Sequence, residues 1–299
     1  MRRASQKTKM SKGTAEPHLQ VFKFSSKYEF DSRRQSMMPL VECITGIENK
    51  MAEDHPSGTF HFSGYCAVCG DDSEFTVDYL HGFGGRPNYR ERIVCPTCRL
   101  NGRMRASIHL LETTLHFAPN DQIYITEQMT PLFSALRQRF PSIVGSEYLS
   151  DGTRPGCVNT TGIRHEDMTK LSFANGIFDA VLSFECLEHV PNYKVACSEC
   201  RRILRSGGRL FLTAPFRLDS AETITRARLR GDGTIEHHEP AEYHGDPVNK
   251  DGILCYYHFG WSLLNDMKAA GFSSASVLVL ASPRFGYLGG LQHFIIAEA

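Results

Sequence analysis

The sequence predicts an α/β fold with a parallel sheet, preceded by a small cysteine-rich module. Three observations carry that prediction. First, FDAVLSF (178–184) is a short apolar run of the kind a strand buried on both faces requires. After a break at Pro191 come Ala196, Cys200, Ile203 and Leu204 at helical spacing, with Arg201, Arg202 and Arg205 late in the helix, where cations suit its dipole. Gly207-Gly208 is the expected stop, and Arg209 to Ala214 a second strand. Such a unit crosses over right-handed with its strands parallel. Second, the pattern recurs upstream. QIYIT (122–126) reads as a strand, Thr130-Pro131 as N-cap and first helical residue of PLFSALRQRF, and SIVGSEYL (142–149) as the next strand. Third, Cys66-x-x-Cys69 and Cys95-x-x-Cys98 stand ahead of both.

Composition narrows the classes. The 299 residues allow one large domain or two, and 41% apolar content supports a sizeable core. A net charge of zero argues against a protein that mainly grips phosphate backbones, so nucleic acid is not the expected partner. No apolar stretch approaches membrane-spanning length, and a membrane partner is not expected. The basic start, MRRASQKTKMSKGTAEP, has no signal-type apolar segment behind it and reads as a disordered tail or a small docking arm. Six of the ten cysteines are scattered, which points to a reducing, cytoplasmic location rather than a disulfide scaffold.

In chain order, residues 1–60 read as a tail and a segment without clear periodicity, in which LQVFKF is a short strand and MPLVECITGI a short apolar piece. Residues 61–102 form the cysteine module. Each pair can sit on a tight turn that aims two thiolates at one point, and two such turns give the sulfur tetrahedron zinc prefers. The alternative is four buried free thiols. Phe75–Tyr79 and Arg92–Val94 are its expected strands, and the 25 residues from 70 to 94 exceed the usual ribbon spacing. Four thiolates leave no open position, so the expected zinc at Cys66, Cys69, Cys95 and Cys98 is structural. Arg86, Arg90, Arg92, Arg99, Arg103 and Arg105 cluster here, diluted by Asp71, Asp72, Glu74, Asp78 and Glu91. Residues 103–299 form the larger domain, opening on a helix over 103–117 whose Ala106, Ile108, Leu110, Leu111 and Leu115 give a broad apolar face. Residues 217–259 are a polar insertion placed to shape an acceptor pocket. Its His237, His238, His244 and His258, with Glu239, Glu242 and Asp246, fit no standard metal spacing and read instead as a hydrogen-bonding pocket, to which Tyr243, Tyr256 and Tyr257 add flat surfaces suited to sugar or aromatic rings. A helix over 261–272 stopped by Gly271, then strands ASVLVL and LQHFIIAEA, close the chain.

The runs FDAVLSFECLEHVP and SECRRILRSGGRLFLTAPF resemble the small-molecule group of class I S-adenosylmethionine-dependent methyltransferases, over about residues 120–299. The resemblance implies a Rossmann-like, doubly wound seven-stranded sheet of order 3-2-1-4-5-7-6, the last two strands antiparallel, with S-adenosylmethionine bound at the C-terminal strand edge. It implies Glu147 as acceptor for the ribose hydroxyls, Asp167 beside the adenine amine, Met168 either against the ring or in the core, and Phe184 as a further cofactor contact. Asp179 is expected to be structural or close to the cofactor, not catalytic. One feature departs from the family. The loop after the first strand has no glycine, TEQMTP in place of a GxGxG-like turn. Either it takes another path, with Glu127 or Gln128 on the cofactor, or cofactor binding is lost. Glu185, Glu188 and His189 follow the central strand. If the acceptor is a hydroxyl, His189 is the first candidate base, with Glu185 and His244 as alternatives. The expected activity is methyl transfer to oxygen or nitrogen of a small-molecule or saccharide acceptor. The competing readings are an RNA or protein methyltransferase guided by the cysteine module and a non-catalytic binding relic.

Overall fold

The computed structural model describes residues 19–245, 248–249 and 251–299. The basic start and Asp246 therefore lie outside the described residues. The architecture centres on one seven-stranded mixed sheet. Its parallel part contains β4 (Ile123–Ile125), β5 (Val144–Gly145), β6 (Phe178–Phe184) and β7 (Leu204–Thr213). Alternation along these buried strands sends side chains to two helical layers. Val181, Leu210 and Leu212 face one layer; Ala180, Leu182 and Phe211 face the other. Helix α5 (Tyr193–Ile203) and helix α6 (Ser262–Ala269) cover the first face, and α3 (Gly102–Thr113) and α4 (Pro131–Arg139) the second. Thr130 caps α4 as expected, its Oγ1 accepting from Phe133 N at 3.1 Å, and Pro131 opens the helix.

The antiparallel pair β14 (Ser274–Ser282) and β15 (Tyr287–Glu298) extends the sheet beyond β7. Across the sheet the strands run β5-β4-β6-β7-β15-β14, the expected 2-1-4-5-7-6. The expected third strand is reduced to one parallel bridge, Glu147 to His165. The seventh sheet strand lies at the opposite edge, where β1 (Val21–Phe24) pairs antiparallel with β14. Between β7 and α6, the insertion forms three short pairings. These are β8 (Ile224–Thr225) with β13 (Tyr257–His258), β9 (Ala227–Leu229) with β10 (Ile235–His237), and β11 (Tyr243–His244) with β12 (Ile253–Leu254). The helix expected to run through Leu204 and Arg205 ends earlier. Both residues already belong to β7, and Gly207, at φ +75°, lies within that strand. Asp179 holds the opposite end of β6, with Gln122 N at 2.7 Å and Arg205 at 2.7 Å.

The segment read as aperiodic holds a 28-residue helix, α1 (Lys27–Asp54). Its buried residues are Phe30, Met37, Ile44 and Met51, spaced by seven. Phe30 and Met37 join the sheet core; Ile44 and Met51 pack on the cysteine module. That module is a hairpin of β2 (Phe60–Cys66) and β3 (Asp71–Val77), followed by the short helix α2 (Tyr89–Arg92). The strand expected at Arg92–Val94 is a single antiparallel bridge, Thr76 to Val94, because α2 occupies the preceding residues. Arg139 donates to Val68 O at 2.8 Å and Tyr65 N to Arg284 O at 2.7 Å, so the module is fastened to the larger domain.

Candidate active site and sulfur centre

Both cysteine pairs meet. Cys66 Sγ lies 3.8 Å from Cys98 Sγ, and Cys69 Sγ 3.8 Å from Cys95 Sγ, with all four within 4.8 Å of one another. Four thiolates about 2.3 Å from a tetrahedral zinc stand about 3.8 Å apart, so the spacing fits. Cys66 and Cys95 are buried. The centre also has a counter-charge. Arg105 is fully buried, donates to the carbonyls of Phe285 and Ile93, stacks over Phe75 at 3.9 Å, and leaves Nε without a hydrogen bond. A hydrogen bond from Cys98, assisted by Arg105, pulls the Cys66 thiol down to about 5. The arginine cluster is mostly spent internally. Arg92 pairs with Asp78 and Arg103 with Glu91, besides the buried Arg105.

The extra length between the cysteine pairs has a destination. Residues 78–93 carry α2 over the C-terminal end of β6, where Arg90 Nη2 meets Glu185 Oε1 at 2.7 Å. Arg103, buried at the start of α3, reaches the same oxygen at 3.9 Å and Glu91 Oε1 at 2.8 Å. The two guanidinium groups outweigh burial and hold the Glu185 carboxyl far below the usual range. Glu185 also sits at φ +51°, a left-handed conformation uncommon for a non-glycine residue and found where a chain turns at a site.

The glycine-free loop takes its own path. Glu147 Oε1 accepts from both Gln128 N, at 2.7 Å, and Met129 N, at 2.8 Å. That oxygen is thereby committed to the loop. Of the two loop residues expected to offer a cofactor contact, Gln128 joins Gly162 O and Arg164 N through its amide at 2.9 Å each, pinning the neighbouring loop. Met129 is 46% exposed and turned outward. Glu127 points inward. Its Oε1 is buried without a hydrogen bond, and desolvation raises the carboxyl to about 7 against the pull of Thr130 and Arg103.

Other expected cofactor contacts are engaged elsewhere. Asp167 Oδ1 closes a local turn onto Thr169 N and Oγ1 at 2.8 and 2.7 Å. Met168 is buried in the core with its sulfur 3.5 Å from Cys186 Sγ. Phe184 is also core, edge-on to Phe211 at 5.8 Å. Alternation along β6 turns it into the α3/α4 layer.

The three candidates for the base are separated by their partners. Glu185 is held by arginines. His189 and His244 meet across Glu188, which sequence reading noted but gave no role. Glu188 follows β6 in a single helical turn, is fully buried, and has neither carboxylate oxygen hydrogen-bonded. His189 Nε2 lies 3.5 Å and His244 Nδ1 3.7 Å from Glu188 Oε1, with the two rings edge-to-face at 4.9 Å. Desolvation raises Glu188 to about 7. His189 Nδ1 donates to Leu254 O at 2.9 Å, and Tyr256 N donates to Glu188 O at 2.8 Å, so the insertion is laced onto this turn. His244 Nε2 pairs with Glu242 Oε1 at 2.9 Å; Cys255, then Glu188, raise its imidazole to about 11. His258 shares Glu242 at 3.2 Å, whereas His237, His238 and Glu239 are exposed.

The wound sheet thus carries an acidic edge just after β6. A family profile described as "Methyltransferase domain" matches residues 144–212, from β5 through β7. Within that stretch lie the central strand, the helix that follows it and most of the next parallel strand, arranged as expected for a class I methyltransferase. Similar solved structures include an S-adenosylmethionine-dependent methyltransferase from Mesorhizobium loti, 15% identical over 65% of this chain and 98% of that one, TM-score 0.40. Another, from Listeria monocytogenes, is 12% identical over 66% and 97%, TM-score 0.42. The 1,6-didemethyltoxoflavin-N1-methyltransferase of Burkholderia thailandensis is 15% identical over 65% and 77%, TM-score 0.35. A comparison with curated proteins finds no match.

Proposed function

We propose that the protein transfers a methyl group from S-adenosylmethionine to a small polar acceptor, a hydroxyl-bearing, sugar-like molecule, held between the end of β6 and the insertion. The observation that carries this is the convergence of Glu185, Glu188, His189 and His244 at the strand edge where α/β sheets take ligands. The cofactor fits the groups present. Glu127, Glu147, Glu185 and Glu188 gather acidity at one rim, and Glu127 offers a buried acceptor oxygen that has no hydrogen-bonding partner, suited to an ammonium. When bound, the cofactor supplies a sulfonium-activated methyl group. The chain's own part is to line up the acceptor and exclude water. Glu127 binds the amino end, Glu147 holds the loop in shape through its two amides, and Arg90 and Arg103 fix Glu185. The group formed by Glu188, His189 and His244 eases loss of the acceptor proton. We further infer that Cys66, Cys69, Cys95 and Cys98 bind a structural zinc, since their spacing and the buried Arg105 suit a dianionic tetrathiolate centre.

Calorimetry with S-adenosylhomocysteine tests the cofactor. Label from methyl-labelled cofactor is expected in the small-molecule fraction of a metabolite extract. No binding heat would leave a binding relic, and label confined to RNA or protein would move the acceptor to those classes.

A further inference from the structure

We propose that Glu188, His189 and His244 form a second metal site, for a divalent first-row transition ion, separate from the cysteine centre. Three features of the geometry lead there. The first is spacing. Ligands about 2.1 Å from a tetrahedral ion stand about 3.4 Å apart, and the two histidine nitrogens lie 3.5 and 3.7 Å from Glu188 Oε1. All three ligand atoms lie within 4.8 Å of one another.

The second is tautomer control. A metal-binding imidazole normally donates its other N–H to a carbonyl or carboxylate, which turns a lone pair towards the ion. His189 does this through Nδ1 to Leu254 O, and His244 through Nε2 to Glu242. Each thereby directs its remaining nitrogen to Glu188. The third is Glu188 itself. A fully buried carboxylate with neither oxygen hydrogen-bonded is costly to retain unless something answers its charge. A bound cation would answer that charge.

Two imidazoles and one carboxylate leave coordination positions open. Resting on the methyl-transfer reading, the open position would take the acceptor hydroxyl. The ion would lower the hydroxyl's pKa and the proton would leave to solvent. The oxygen would then form the new C–O bond as the methyl–sulfur bond breaks and its electron pair returns to a neutral thioether. Nitrogen and oxygen ligands distinguish this site from the four sulfurs of the cysteine centre.

The experiment uses the full-length protein, apo-prepared and reloaded with Co2+ or Zn2+. Two ions per chain are expected. One cobalt should show intense thiolate charge-transfer absorption, and the second only weak nitrogen/oxygen-type bands. Glu188→Gln, which keeps the side-chain shape, and separately His244→Asn should each bind one ion and retain the thiolate bands, which also report that the chain has folded. One ion in the wild type, or a second ion surviving both variants, overturns the proposal. Survival together with loss in Cys255→Ser would move the site to Glu242, Cys255 and His258. Failure of S-adenosylhomocysteine to bind would sink the methyl-transfer reading while leaving the metal count standing.

Discussion

Arg90 Nη2 lies 2.7 Å from Glu185 Oε1, joining residues 95 positions apart in the chain. The contact links a helix of the cysteine module to the residue that ends the central strand. The guanidinium also holds Glu91, which in turn holds Arg103. Module and catalytic edge are therefore one electrostatic unit. Arg90→Ala is expected to leave Glu185 with Arg103 alone and to cost about 1–3 kcal/mol of stability. Methyl transfer should fall at least about tenfold, since 1.4 kcal/mol lost at the transition state already gives that factor. Zinc content should not change. Denaturant titration and metal analysis of the same preparation check it; unchanged activity would separate the module from catalysis.

Loss of the metal from the cysteine centre should reach the same edge. Cys69→Ser, or chelation, removes ligand energy that substitutes for a core the hairpin is too small to build. A loss of about 5 kcal/mol would lower the melting temperature by roughly 10 °C. Cofactor affinity should fall with it, because α2 and the start of α3 lose their seat. Calorimetry on chelated and reloaded protein reads both.

Glu127 gives a pH signature of definite sign. Burial raises its carboxyl to about 7, so the folded chain keeps a proton the unfolded chain releases near the ordinary value of 4.5. Its contribution is complete below that ordinary value and disappears as pH rises through 7, on the order of 3 kcal/mol altogether. Glu127→Gln should match the wild type at about pH 4 and exceed it in stability at about pH 8. Urea midpoints at the two pH values measure the difference, and equal gains at both would show that the carboxyl is not desolvated.

The long first helix makes a packing prediction. Ile44 is buried against the cysteine module, and Glu42 two positions away is exposed. Ile44→Ala should cost about 2–5 kcal/mol and Glu42→Ala less than about 0.5. Equal effects would mean that the helix does not dock along its Met37–Ile44–Met51 line.

What the residues disclosed in advance follows from how local each signal is. The wound core was readable because FDAVLSF, the Thr130-Pro131 cap and the closing strand pair each write their own structure into a few neighbours. The meeting of the cysteine pairs was readable because each Cys-x-x-Cys pair turns its two thiols to one side of a tight turn. Helix α1 was missed although Phe30, Met37, Ile44 and Met51 repeat every seventh residue. Only a narrow seam is buried, and Arg33 and Pro39 interrupt the pattern. Glu147 was recognised as an acid at a strand end, but nothing local says that two loop amides return to it. Glu188 and Arg90 were legible as residue types only. Their partners, His244 and Glu185, lie 56 and 95 positions away.

Strand β1 has a consequence of its own. Only four residues long, it shields the outer rim of β14, from Val277 to Leu280, with backbone partners. A variant shortened to begin at Lys27 would keep every residue of the catalytic edge yet lay that rim bare, an invitation for a second molecule to add its own strand. Such a protein should remain able to bind its ligands and still drop out of solution as its concentration is raised.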